Sequence, residues 1–109
     1  MKNLEFEELI KKLRITDSVI VVEGKKDKEA LQALGIKNII TLARKPLYKV
    51  AEEIANINRE CIILVDLDRE GRKLFGKLNS DLSRLGVKVD NTARKFLFKT
   101  KLRQIEGII

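Results

Sequence analysis

Apolar positions along the chain fall into two kinds of run that take turns. Phe6, Leu9, Ile10 and Leu13 recur at i, i+3, i+4, i+7 and so share one face of a helix expected over residues 3–14, with Asn3 as its N-cap. Ser18-Val19-Ile20-Val21-Val22 is continuous and β-branched, which predicts a strand covered on both faces that ends at Glu23-Gly24. Asp27 is placed to cap a helix running through Leu34, Gly35 suits the position just past its end, and residues 38–42 read as a second strand. Pro46 fits the first turn of a third helix with Leu47, Val50, Ala51 and Ile54 inward, and residues 61–65 form the third strand. The next helix is expected from Arg69 to Leu85, with Phe75, Leu78, Leu82 and Leu85 inward and Gly86 as its stop. A short fourth strand at 87–89 follows, and Asp90 or Asn91 is a candidate N-cap for a last helix containing Phe96 and Leu97.

Strands that alternate with helices of this length imply parallel pairing, right-handed crossovers and helices on both sides of the sheet. The expected fold class is therefore α/β, a Rossmann-like three-layer sandwich around a four-stranded, mainly parallel sheet. No repeat, low-complexity tract or Pro/Ser/Gly linker interrupts it. One domain over residues 1–109 is expected, with its core at about 17–90, the N-terminal helix at about 3–14 and a basic C-terminal helix at about 91–103. In such sheets ligands bind beyond the carboxyl ends of the strands, where strand order reverses.

Composition narrows the chemistry. There is no histidine and a single cysteine, Cys61, inside an apolar run, so a Cys/His zinc cluster and a disulfide framework are both excluded. Any metal must be held by oxygen. No apolar run approaches the roughly 18 residues of a membrane span, and the N-terminus lacks the pattern of a signal peptide, so a cytoplasmic location is expected. The net charge of +7 has two readings, a polyanionic partner such as RNA or DNA, or a lysine-rich surface of the kind found in heat-stable proteins.

Carboxylates collect where the topology expects a ligand. Glu23 closes the first strand, while Asp66 and Asp68, followed by Glu70, close the third. Four such groups on one rim repel each other unless a cation or protons neutralise them. Hard oxygen donors alone select Mg²⁺, with Mn²⁺ as a substitute, and magnesium completes its shell with waters and substrate phosphates. Lys25, Lys26, Lys28, Arg69, Arg72 and Lys73 surround the acidic residues and suit phosphate binding, while Gly24 and Gly71 allow a phosphate to approach the backbone. The plainer alternative is that these acids are loop residues and helix caps.

The segment Val21-Val22-Glu23-Gly24-Lys25-Lys26-Asp27, with Leu64-Val65-Asp66-Leu67-Asp68-Arg69-Glu70-Gly71 some forty residues on, resembles the paired signature motifs of the Toprim superfamily. The first motif looks more like the 5S ribosomal RNA maturation nuclease. The second is closer to type IA topoisomerases, where proline often replaces Leu67. The resemblance implies a Toprim fold, a general acid/base or metal-linked role for Glu23, metal-binding roles for Asp66 and Asp68, and a further acidic role for Glu70. It does not imply a self-contained topoisomerase, because the one tyrosine, Tyr48, lies just inside an expected helix.

Two functions remain in competition. One is Mg²⁺-dependent phosphodiester chemistry on nucleic acid, most simply endonuclease-type cleavage of structured RNA. The other is a non-catalytic nucleic-acid-binding module, or a subunit whose partner protein supplies substrate binding. An aspartyl-phosphate enzyme fits less well, because its Asp-x-Asp usually follows the first strand and continues differently. The stretch 94–103 is basic with interleaved aromatics, which suits a docked helix or a phosphate-tracking surface.

Overall fold

A computed structural model describes residues 4–57, 60–65 and 69–90, with side chains from residue 7 onward. Asn3, the Phe6 side chain, Asp66, Leu67, Asp68 and the basic stretch 91–103 lie outside the described residues. The alternating runs form α1 (Leu4–Ile15), β1 (Val19–Val22), α2 (Lys25–Ala33), β2 (Ile39–Thr41), α3 (Leu47–Ile57), β3 (Glu60–Ile63), α4 (Arg69–Arg84) and β4 (Lys88–Asp90). Among the described residues, no helix is long and apolar enough to cross a membrane.

The strands pair in the order β2-β1-β3-β4, all parallel. Ile20 stands level with Ile39 on one side and Ile62 on the other. The chain thus leaves β1 outward to β2, then returns past β1 to lay β3 on its opposite flank. This reversal creates a switch point between β1 and β3.

Because β1 is central, every one of its residues needs an apolar partner, and the strand's period of two divides them between faces. Ile20 and Val22 join Ile39, Ile62 and Leu64 beneath Leu9, Ile10 and Leu13 of α1 and Leu31 of α2. Val19 and Val21 join Cys61, Ile63 and Val65 beneath Val50, Ala51 and Ile54 of α3 and Leu78 and Leu82 of α4. Full burial of each aliphatic side chain contributes about 1.5–3 kcal/mol before chain entropy is counted. This double cover holds the strand ends rigidly enough to position chemistry.

Two helices stop as the glycines foretell. Gly35 and Gly86 have φ of +83° and +82°. After α2, the N–H groups of Gly35 and Ile36 donate to Gln32 and Leu31 carbonyls at 2.9 and 3.1 Å, and Gly86 and Val87 repeat the pattern on Ser83 and Leu82. Both are Schellman closures, which need the left-handed residue.

Local details differ from the sequence expectation at four places. Asp27 does not precede its helix. It is the third residue of α2, with Gly24 at the N-cap, because its carboxylate reaches back to accept the Gly24 N–H at 3.2 Å. Pro46 stands just before α3, its carbonyl accepting the Lys49 and Val50 N–H groups. Leu85 is not inward but 45% exposed, since α4 ends at Arg84 and the turn into Gly86 carries it off the buried stripe. Asp90 is the last residue of β4, and its carboxylate pairs with Lys12 at 3.1 Å.

Candidate functional site at the carboxyl rim of the sheet

Extended backbone at the end of β1 hands its remaining carbonyls to both neighbours. The Val21 carbonyl accepts the Leu64 N–H at 2.8 Å, the Val22 carbonyl accepts Leu42 at 3.0 Å, and the Glu23 carbonyl accepts Ala43 at 3.1 Å. Glu23 is therefore fixed through its main chain at the switch point, and its side chain is half-buried. Carried two residues on, the register that sets Val21 against Ile63 brings Val65 level with Glu23.

Two helices begin at this rim. Lys25 and Lys26 are the first residues of α2 and are exposed, while Lys28 is half-buried. Arg69 and Glu70 open α4 and are exposed, as are Arg72 and Lys73 in the same turns, whereas Gly71 is buried. Each helix N-terminus adds roughly half a positive charge to that of the cations, so the rim suits an anion bridging the two starts. The structure thus gathers Glu23, Gly24, Lys25, Lys26, Arg69 and Glu70 at one end of the sheet. Asp66 and Asp68 fall between Val65 and Arg69 in the chain and lie outside the described residues.

Gly24 has φ −140° and ψ −179°, ordinary extended backbone, and an added Cβ would meet nothing within 4 Å. Neither conformation nor internal packing calls for glycine there. A reason outside the chain, such as close approach of a phosphate, is consistent with that freedom.

The donor chemistry fits a hard cation. The described rim offers the Glu23 and Glu70 carboxylates, and the chain has no imidazole to compete. Among the described residues, no three acidic or thiol groups come close enough to hold an ion. The lone thiol does not contribute: Cys61 is buried in the core, where desolvation pushes its pKa up to about 12 and keeps it protonated.

One part of the rim escapes sequence reasoning. After β2, Ala43 and Arg44 take positive φ values of 35° and 64°, and the Lys45 N–H closes on the Leu42 carbonyl at 2.7 Å. This is the pattern of a type I′ turn, normally built from Asn and Gly. The sequence Leu42-Ala43-Arg44-Lys45 contains neither, so nothing in it signals a turn that lays two exposed cations beside Glu23.

Comparison with known proteins agrees with this architecture. The Toprim domain family model matches residues 17–93, a span that includes all four strands. A UPF0292 protein of Pyrococcus abyssi is 44% identical over 104 residues, covering 94% of this chain and 78% of the relative. One from Methanocaldococcus jannaschii is 34% identical, covering 93% and 84%. A solved structure, described as a putative protein from Aquifex aeolicus, superposes with a TM-score of 0.88 at 38% identity, covering 97% of this chain and 98% of that one. Toprim domains generally bind divalent metals such as Mg²⁺ and belong to nucleic-acid chemistry. With the motif pair, the β2-β1-β3-β4 sheet and a family match running across it, the chain belongs to the Toprim family.

Proposed function

We propose that this protein performs Mg²⁺-dependent phosphodiester chemistry on nucleic acid, in the form of endonuclease-type cleavage of structured RNA. The observation that carries the reading is the pairing of β1 with β3, which sets Glu23 at the switch point beside the segment leading to Asp66. Glu23, Asp66, Asp68 and Glu70 would hold the ion, with Mn²⁺ as a substitute. When bound, the ion supplies Lewis-acid polarisation of a phosphoryl oxygen.

The chain's own groups do the rest. Lys25, Lys26, Lys28, Arg69, Arg72 and Lys73 hold the phosphates and offset their charge as the strand docks. Gly24 keeps the backbone low enough for close approach, whereas Gly71, expected to do the same, is buried and out of a phosphate's reach. Glu23, half-buried and fixed by its main chain, is suited to accept and return a proton as general acid/base.

The test is incubation with structured ribosomal RNA, single-stranded DNA and duplex DNA in Mg²⁺, Mn²⁺ or EDTA, beside an Asp66→Asn/Asp68→Asn variant. Metal-dependent cutting by the wild type alone is the expected result. Binding without cutting in any metal would remove the catalytic reading and leave a binding module or a subunit that requires a partner protein.

A further inference from the structure

The turn after β2 is held in a conformation its residues resist. Left-handed backbone is disfavoured for residues with a Cβ, and here two such residues occupy it in succession. Three hydrogen bonds impose it: Leu42 on Val22, Ala43 on Glu23 and Lys45 on Leu42. The turn is thereby bound to the main chain of Val22, which ends β1, and of Glu23, which follows it. Arg44 and Lys45 are exposed, and among the described residues neither side chain has an ion-pair or hydrogen-bond partner. A glycine at position 44 would relieve the backbone but would remove a charge.

We propose that Arg44 and Lys45 form a phosphate grip on the β2 side of Glu23, opposite the grip formed by Arg69 and its neighbours. This rests on the reading that the rim receives nucleic acid, and it extends that reading to residues outside the two signature motifs. The span is set by the sheet. From β3 across β1 to β2 is two strand spacings, about 10 Å. A duplex strand advances roughly 3.4 Å of axis per phosphate, so about three such steps cover that distance. The inner phosphates of that stretch lie over Glu23, and the outer ones reach the turn of Arg44 and the first turn of α4. Because the turn is fixed by main-chain bonds, its backbone needs no further ordering when the strand arrives, and only the two side chains lose rotamer freedom.

The experiment measures binding of a fluorescently end-labelled RNA hairpin by anisotropy across a salt series in EDTA, so that no cleavage intervenes. Wild type, Arg44→Gln, Lys45→Gln, Lys25→Gln and Lys37→Gln are compared. Lys37 is exposed at the opposite, amino-terminal end of β2 and controls for net charge alone. Arg44→Gln and Lys45→Gln are each expected to weaken binding several-fold and to reduce the slope of log affinity against log salt by about 0.7–0.9. Lys37→Gln should leave the slope unchanged. Arg44→Gly adds a readout that a purely structural turn would not give: its thermal midpoint should rise while its affinity falls, and Arg44→Lys should restore much of the affinity. If Arg44→Gln matches Lys37→Gln while Lys25→Gln still weakens binding, the grip is overturned and the nucleic-acid rim stands. If the wild type binds no RNA, or Lys25→Gln has no effect, the rim itself and the grip with it are overturned.

Discussion

Replacing Gly24 by alanine separates what the fold needs from what a ligand needs. Two small terms act on stability. Restricting the unfolded chain favours the alanine variant by about 0.4–1 kcal/mol, because φ −140° and ψ −179° suit any residue. Alanine is a poorer N-cap than glycine by roughly 0.5–1 kcal/mol, which acts the other way at the start of α2. No steric term joins them, since the new methyl meets nothing within 4 Å. The net change is expected within about 0.5 kcal/mol, or roughly 2–4 °C in Tm for a domain of this size. Binding should respond differently. A methyl intruding on a phosphate packed against the Cα costs about 1–3 kcal/mol, an affinity loss of about 5- to 150-fold. Thermal unfolding and RNA anisotropy on the same preparations give both numbers. Unchanged affinity would reduce Gly24 to a helix cap, and a Tm loss well beyond 4 °C would show that the packing argument is wrong.

Other outcomes follow from individual contacts. Asp27→Ala removes the acceptor of the Gly24 N–H and should lower stability by about 1 kcal/mol, measured by urea unfolding with an unchanged m-value. Gly35→Ala places a Cβ on left-handed backbone at φ +83° and should cost about 1–2 kcal/mol in the same assay. Cys61 titrates near 9 when exposed and at about 12 when folded, so the folded state holds the proton longer. Its contribution to stability is therefore complete below pH 9 and is lost as pH rises towards 12, at up to about 1.4 kcal/mol per pH unit. A Cys61→Ala variant should lack that component of the alkaline decline.

The element order was legible because β-branched runs and 3.6-residue stripes seldom mimic each other over this length. The two Schellman glycines were legible for the same reason: left-handed closure leaves few alternatives to glycine. Strand order was not, since nothing local in Val19–Val22 says which neighbours it takes, and the adjacency of β1 and β3 emerges only from the packed sheet. The N-cap, Gly24, lies three positions before Asp27, because an aspartate at the third helical residue and one at the N-cap both satisfy free N–H groups of the first turn, from opposite directions. The Ala43-Arg44 turn gave no signal at all. Its conformation is dictated by hydrogen bonds to Val22 and Glu23, residues some twenty positions away, and not by its own preferences. Glu23 and its lysines could be found from the motif, whereas Arg44 and Lys45 required coordinates.

The pairing of Val19 with Cys61 joins residues 42 positions apart, against 19 for Ile20 with Ile39 and 28 for Glu60 with Lys88. Closing so long a stretch of chain is entropically the most demanding step in building this sheet, and contacts of that kind form late when folding is limited by topology. The rim beside Glu23 lies on this very seam. A nascent or partly unfolded chain can have β1, α2 and β2 in place and still lack the β3 wall of the site. Under the proposed function, the site exists only once β1 and β3 have paired, so a chain that has not completed the sheet would lack it.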